Sequence, residues 1–162
     1  DADPSLLKKT VSFLKPHVDI VLLDCAPTLG KETEAGIKAS EEVLIVANPD
    51  WSSLLEAKRT IQYAKDKKKE ILGLVLTRCN GDIDEEYVER IKQVLNVPLL
   101  SIIPEDTKIP DSITRRVPVI HLHSRSGAAT GYKKLASSIV GEKFPRQPGI
   151  INALIDFFEE ED

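Results

Sequence analysis

Ile20-Val21-Leu22-Leu23-Asp24, running on into Cys25-Ala26-Pro27-Thr28-Leu29-Gly30, is an uninterrupted apolar run closed by a carboxylate. Such a run predicts a strand buried on both faces, Val18–Asp24, with Asp24 at its carboxyl end. In nucleotide hydrolases a carboxylate at that point holds Mg²⁺, usually through water, while the segment after it senses the γ-phosphate. The competing reading is an aspartate that caps the following turn. A phosphate cradle of the form G-x-x-x-x-G-K-[ST] should precede such a strand, yet the residues before Ile20 contain no glycine. Gly30-Lys31-Glu32-Thr33 is no substitute, because Glu32 separates Lys31 from Thr33 and no glycine-rich turn presents backbone N–H groups to phosphate. The chain is therefore expected to be the back half of a nucleotide-binding domain.

Outward from this stretch, strand-like and helix-like segments alternate. Asp3-Pro4 reads as a helix start, with Leu6, Leu7, Val11 and Leu14 as its apolar stripe. A short helix near Glu32–Ser40 leads into the strand Val43-Leu44-Ile45-Val46-Ala47, and Asn48-Pro49-Asp50 stops it and caps a helix carrying Leu54, Ala57, Ile61 and Ala64. Ile71–Thr77 predicts the third strand, Asp84–Leu95 an amphipathic helix and Val97–Ile103 the fourth strand. All four are continuous apolar runs, so the sequence predicts an α/β fold: a doubly wound, mainly parallel sheet with helices on both faces. Ligands of such sheets bind at the carboxyl ends of the strands, which selects Asp24–Pro27, Asn48–Asp50, Thr77–Asn80 and Pro104–Asp106 as one rim.

Composition narrows the classes. The 162 residues are 41% hydrophobic and 30% charged, enough for a real core. A net charge of −4, without a basic cluster interleaved with aromatics, argues against a nucleic-acid binder. Lys65, Lys67, Lys68 and Lys69 read as a solvated helix end. Cys25 and Cys79 have no C-x-x-C spacing, which disfavours zinc, iron–sulfur or disulfide frameworks and suits a reducing cytoplasm. No apolar run is long enough to span a membrane. Trp51 is expected to pack at a helix start, and His121 with His123 to share a strand face without enough ligands for zinc.

Five blocks in order carry a family likeness: residues 18–30, Val46–Leu54, Gly73–Arg78, Val97–Asp106, and Ser126–Ala129 with its following helix. Together they resemble the deviant-Walker ATPases of the MinD/ParA family, the archaeal MinD-like members in particular. The resemblance implies ATP or ADP with Mg²⁺ as ligands, Asp24 as the Walker B carboxylate, and Cys25, Ala26, Pro27 and Gly30 in the switch segment. It places Thr77 and Arg78 at the adenine, and Pro104, Glu105 and Asp106 in the loop over base and ribose. Thr77 departs from the usual asparagine, which bears on adenine specificity.

The resemblance also implies an ATP-sandwiched homodimer, slow hydrolysis stimulated by a protein regulator, and a role in spatial organisation such as division-site placement. For these 162 residues alone no appreciable turnover is expected, since phosphate chemistry needs the cradle and its lysine. The alternative is a non-catalytic interaction domain that keeps the fold. Residues 1–141 form the expected domain portion, 142–149 a linker and 150–162 an acidic amphipathic helix. In residues 150–158 Ile150, Ile151, Leu154, Ile155, Phe157 and Phe158 share one face, leaving peripheral membrane contact and protein docking both open, although Glu159-Glu160-Glu161-Asp162 would be repelled by anionic lipid.

Overall fold

The computed structural model describes residues 4–81 and 83–141, except for the side chains of residues 4 and 5. Asp3, the linker 142–149 and the acidic tail 150–162 lie outside the described residues. Helix α1 spans Pro4–Leu14, α2 Lys31–Ala39, α3 Trp51–Asp66, α4 Glu85–Leu95, α5 Lys108–Arg115, α6 Val119–Leu122 and α7 Gly127–Val140. Strands β1 (Glu42–Ala47), β2 (Glu70–Cys79) and β3 (Leu99–Pro104) form one parallel sheet in the order β1-β2-β3.

Local chemistry sets the helix ends. Asp50 accepts the Ser53 N–H at 3.0 Å, Asp84 accepts that of Tyr87 at 2.7 Å, and Ser126 accepts that of Ala129 at 3.2 Å, each satisfying a donor of the first helical turn. Asn96 and Gly141 close α4 and α7 in the left-handed conformation.

Strand alternation divides the interior into two layers. Leu74 and Leu76 of β2 join Val43, Ile45 and Ala47 of β1 against Ile37 of α2, Leu54, Ala57 and Ile61 of α3, and Ile91 and Leu95 of α4. Val75 turns the other way, with Ile103 of β3 and Ala128 of α7, flanked by Leu44, Ile109 and Leu135. Helices thus cover both faces, as the continuous apolar strands predict. A register shift opposite Val43 and Leu44 sets Gly73 at φ +151°, where an added Cβ would lie 2.7 Å from the Pro98 carbonyl oxygen. Only glycine allows β2 to approach the entry to β3 this closely.

The segment Val18–Asp24 corrects the sequence expectation. It follows a 3₁₀ turn at Lys15–His17 and joins no strand of the sheet. Val21 and Leu23 are half-buried while Ile20, Leu22 and Asp24 are exposed, so the period of a strand persists without its hydrogen-bond ladder. An apolar run gives a segment the capacity to be a strand, but pairing requires a neighbouring edge. The neighbouring edge in this fold is that of β1, and a cavity separates the two.

Two smaller expectations also change. His121 and His123 stand at α6 and its C-cap rather than on a strand. Trp51 opens α3 yet is 72% exposed, because Asp50 and Ser53 organise that helix start without it. The lysine run is more specific than a solvated end: Lys69 Nζ donates to the carbonyls of Lys38 and Ser40 at the end of α2, and Lys67 lies over the Tyr63 ring at 5.2 Å.

Candidate functional site

The first part of the site is the loop after Asp24. Thr33, buried in the first turn of α2, donates its hydroxyl in a shared arrangement to the carbonyls of Ala26 at 3.1 Å and Thr28 at 2.8 Å. Gly30 N–H donates to the Thr28 carbonyl at 3.0 Å. Ala26, Pro27 and Gly30 are therefore held from α2, with Asp24 exposed just ahead of them. Cys25 is exposed as a residue, but its Sγ is tucked against Gly36, where an added Cβ would come within 2.4 Å. Partial burial of the thiol and then the charge of Asp24 hold Cys25 above the usual thiol range. It is a protonated packing group at neutral pH.

A second part is the end of β1 and β2. Thr77 Oγ1 bonds to Asn48 Oδ1 at 2.9 Å, and Tyr87 Oη of α4 donates to the Pro49 carbonyl at 2.7 Å. Asp24, Cys25, Ala26, Pro27, Asn48 and Thr77 line the same cavity of about 1210 Å³. Sequence reasoning placed Asn48 on the rim but gave it no role, and it missed Thr33 and Tyr87. A threonine one turn inside a helix carries no signal by itself of a clamp reaching back across a loop.

The third part lies beyond β2. Arg78 is exposed with φ +55°, an uncommon conformation for a non-glycine residue. The Glu105 N–H donates to the Cys79 carbonyl at 2.9 Å, joining the ends of β2 and β3. Asp106 accepts the Lys108 N–H at 2.9 Å and the Ala128 N–H at 3.0 Å, and Pro104 abuts Gly127 at the start of α7. Burial alone would raise the Asp106 carboxyl, but these two N–H bonds and the Ser126 hydroxyl hold it below the ordinary range. Pro104, Glu105 and Asp106 thus form a braced loop. Arg78 and this loop do not line the cavity that Asp24 and Thr77 share.

His123 Nε2 pairs with Asp111 Oδ2 at 2.7 Å, and Asp111 also accepts from Arg115 Nε at 2.9 Å, which engages both groups in bracing α5 against α6. Among the described residues no cluster of three His, Cys, Asp or Glu side chains could hold a metal. A single carboxylate with waters, as Asp24 offers, is nevertheless a sufficient protein contribution for Mg²⁺ on a phosphate.

A parallel sheet with helices on both faces and a carboxylate-bearing loop toward its carboxyl rim places the chain in the doubly wound α/β class, whose ligands bind at that rim. The family model described as 4Fe-4S iron sulfur cluster binding proteins, NifH/frxC family, matches residues 5–160. The chain is 30% identical to the septum site-determining protein MinD of Pyrococcus horikoshii, solved with Mg-ADP, at a TM-score of 0.75 over 85% of this chain and 57% of that one. Against the cell division ATPase MinD of Pyrococcus furiosus the values are 33% and 0.77, over 86% and 59%. An uncharacterized ATP-binding protein of Methanocaldococcus jannaschii is 27% identical over 90% of this chain and 55% of its own length. The chain belongs to the NifH/frxC family of that model, and its relatives place it among the MinD/ParA ATPases.

It spans about half the length of the curated relatives it matches. The cluster in the family model's description does not fit these residues. The chain has two cysteines, and they point into packed layers: Cys79 is buried in the core at the end of β2, while the Cys25 Sγ packs against Gly36 of α2.

Proposed function

We propose that this chain supplies the Walker B side and the base-side loop of a Mg-ATP switch of the MinD type, acting in spatial organisation such as division-site placement. The observation that carries it is that Asp24 with the loop held by Thr33, and Asn48 bonded to Thr77, stand at the carboxyl ends of neighbouring segments and all border the space between the 18–24 segment and β1. Asp24 would hold Mg²⁺ through water, and Cys25 to Gly30 would respond to the γ-phosphate because Thr33 couples their backbone to α2. Bound Mg²⁺ would supply charge neutralisation at the phosphates.

Thr77 is turned to Asn48, so the hydroxyl that stands in place of the family's asparagine is already engaged. Asn48 is then the better-placed amide for a base or ribose contact, while Arg78, Pro104, Glu105 and Asp106 form the outer wall of the base side. Homodimerisation with ATP, a protein regulator, and a tail, residues 150–158, that either docks on protein or touches the membrane surface belong to the same reading. Among the described residues no helix is long and apolar enough to cross a membrane.

The test is calorimetric titration of Mg-ADP into the native gene product containing these residues and into its Asp24→Ala variant, with and without EDTA. Affinity should fall by roughly tenfold or more in the variant with Mg²⁺ present, about 1.4 kcal/mol or more, and the two proteins should converge when Mg²⁺ is removed. Equal affinities with Mg²⁺ would remove Asp24 from the site. The non-catalytic interaction reading is favoured by the exposed Phe13 and Trp51, and would be supported if the native protein bound no nucleotide at all.

A further inference from the structure

Charge is unevenly spread along the chain. Between Thr107 and Lys133 five cations, Lys108, Arg115, Arg116, Arg125 and Lys133, stand against one carboxylate, Asp111, in a sequence whose net charge is −4. Side-chain bonds draw these positions together. Arg115 Nε donates to Asp111 Oδ1 at 2.9 Å, Asp111 Oδ2 pairs with His123 Nε2 at 2.7 Å, and Lys133 Nζ donates to the Ser124 carbonyl at 2.8 Å. The end of α5, the α6–α7 turn that carries Arg125, and the middle of α7 thus share one surface. Asp111 is already divided between Arg115 and His123, while Arg116 and Arg125 are exposed and enter no ion pair among the described residues.

Apolar side chains stand beside these cations. Ile113 is 70% exposed, and Val117 and Tyr132 are exposed as well. Arg116 closes α5 at φ +55°, its N–H donating to the Ile113 carbonyl at 3.0 Å while the Val117 N–H reaches the Ser112 carbonyl at 3.1 Å. This paired closure turns Val117 back toward Ile113 and holds a cation where glycine is the ordinary choice. An apolar pair framed by cations suits an amphipathic segment of negative charge. No residue of α5 or α6 borders the space between the 18–24 segment and β1, which lies at the opposite end of the sheet from β3.

Residues 150–162 have the complementary composition. Asp156, Glu159, Glu160, Glu161 and Asp162 supply five carboxylates without a cation, beside an apolar set that includes Ile151, Leu154, Ile155 and Phe158. Reach is sufficient. The eight residues 142–149 can span up to about 26 Å, and Lys133 lies seven residues back from Val140, about 10 Å along α7. As a helix the thirteen residues 150–162 would be about 20 Å long, the width of three helices packed at about 8–10 Å. The tether makes the contact intramolecular, with an effective concentration on the order of millimolar, so a weak contact is enough.

We propose that residues 150–162 dock in cis on the basic surface of α5, the α6–α7 turn and α7, with apolar side chains over Ile113 and Val117 and the acidic end on Arg116 and Arg125. The inference chooses between the two fates of that tail; it rests on reading the tail as an amphipathic helix and not on nucleotide binding. Other basic places fit less well. On α1, Lys8 and Lys9 stand near the exposed Leu6 and Phe13, but Lys15 is taken by Glu41. At the end of α3, Lys69 is turned into the carbonyls of Lys38 and Ser40. Docking on α5 bears on the base-side loop, because Asp106 accepts the Lys108 N–H at the start of that helix.

The experiment is amide hydrogen exchange on the native gene product containing these residues, without nucleotide, compared with the same protein lacking residues 150–162. Exchange at residues 112–117 and 121–125 should quicken by roughly threefold or more in the shortened protein, with α3 and α4 unchanged. Arg116→Glu with Arg125→Glu should free the segment, read as roughly threefold faster exchange at residues 154–158. Glu159→Lys with Glu160→Lys and Glu161→Lys should do the same. Combining the two sets should restore slow exchange, which a merely structural effect of either set would not give. Raising the salt from about 0.1 M to about 1 M, which shortens the screening length from about 10 Å to about 3 Å, should weaken the protection in the unmodified protein.

Unchanged exchange at 112–125 on removal of the segment, or charge reversals that do not rescue each other, would overturn the proposal. Exchange that quickens at residues 6–14 instead would move the segment to α1, and protection that grows with protein concentration would assign it to a second copy. Sedimentation with phosphatidylcholine–phosphatidylglycerol vesicles that depends on residues 150–162, while 112–125 are indifferent to their removal, would give it to the membrane. Each of these overturns docking in cis. Charge-swap rescue in a protein that binds no Mg-ADP would leave this inference standing and sink the nucleotide reading. Mg-ADP binding without rescue would do the reverse.

Discussion

The two edges of β1 form one strand's worth of chemistry in two different states. Toward β2 the ladder is continuous apart from one glycine-permitted shift, beneath the layer that Val43, Ile45 and Ala47 share with three helices. Toward Val18–Asp24, the same strand meets a cavity across which no ladder forms. Apolar character is similar on the two sides, so hydrophobicity alone does not make a sheet. Burial from both faces and an edge within hydrogen-bond reach are both required.

The largest expected effect contrasts these sides directly. Leu76→Ala, at a fully buried position of β2, should cost about 3 kcal/mol in urea unfolding, while Leu22→Ala should stay within about 0.5 kcal/mol. A comparable loss at Leu22 would break the comparison, since it would mean that the 18–24 segment is packed in solution.

The core side was legible from periodicity and punctuation. Asp50 was readable as a cap because an aspartate before an apolar-periodic run satisfies the first-turn N–H groups, and it does so; Asp84, read as the first residue of its helix, is that helix's cap. The last helix came from the family resemblance of Ser126-Gly127-Ala128-Ala129, and within it Ala128 is fully buried. The failure at Val18–Asp24 arose because the apolar run reports what a segment can pair with, whereas pairing depends on where another edge lies. Trp51 failed for a related reason: its helix start is satisfied by Asp50 and Ser53, leaving the indole without a structural task. The site was legible as a list of rim residues, but not their partners. Nothing in Thr77 announces Asn48, twenty-nine residues away, as its hydrogen-bond mate.

Next in size is the clamp that holds the loop after Asp24 although the segment before it is unpaired. Thr33→Val keeps shape but removes the hydroxyl that reaches Ala26 and Thr28, and should cost about 1–2 kcal/mol. Limited proteolysis should accelerate between residues 18 and 30 and remain unchanged in α4. If cleavage does not move, Thr33 is not what separates the ordered loop from the open segment.

The brace at the far rim carries a pH signature. Asp106 has a folded value below its ordinary one, so its contribution is present above the unfolded value near 3.9 and is lost as pH falls through the folded value. Asp106→Asn should weaken the anchoring of the loop to α7 by about 1 kcal/mol at neutral pH. It should also make the acid limb of stability shallower below about pH 4. Glu34, Glu41, Asp50 and Asp111 are likewise held low, so the limb persists in the variant. An unchanged acid limb would show that the Lys108 and Ala128 bonds do not survive in solution.

The smallest effect sharpens how the two sides of β1 are mechanically joined. Tyr63 Oη of α3 donates to Glu34 of α2 at 2.8 Å, and the Tyr63 ring also lies beneath Lys38 and Lys67. Tyr63→Phe keeps the ring and both cation contacts while deleting the hydroxyl. It should cost only about 0.5 kcal/mol, because Glu34 remains solvated and paired with Lys38. The informative readout is amide exchange in α2. If it quickens there while α3 is unaffected, the hydroxyl transmits the rigidity of the packed layer to the helix that carries Thr33, and through Thr33 to the loop after Asp24. If α2 is unmoved, Ile37 in the core and Lys69 at its end hold that helix without the hydroxyl, and the clamp on the loop is independent of Tyr63.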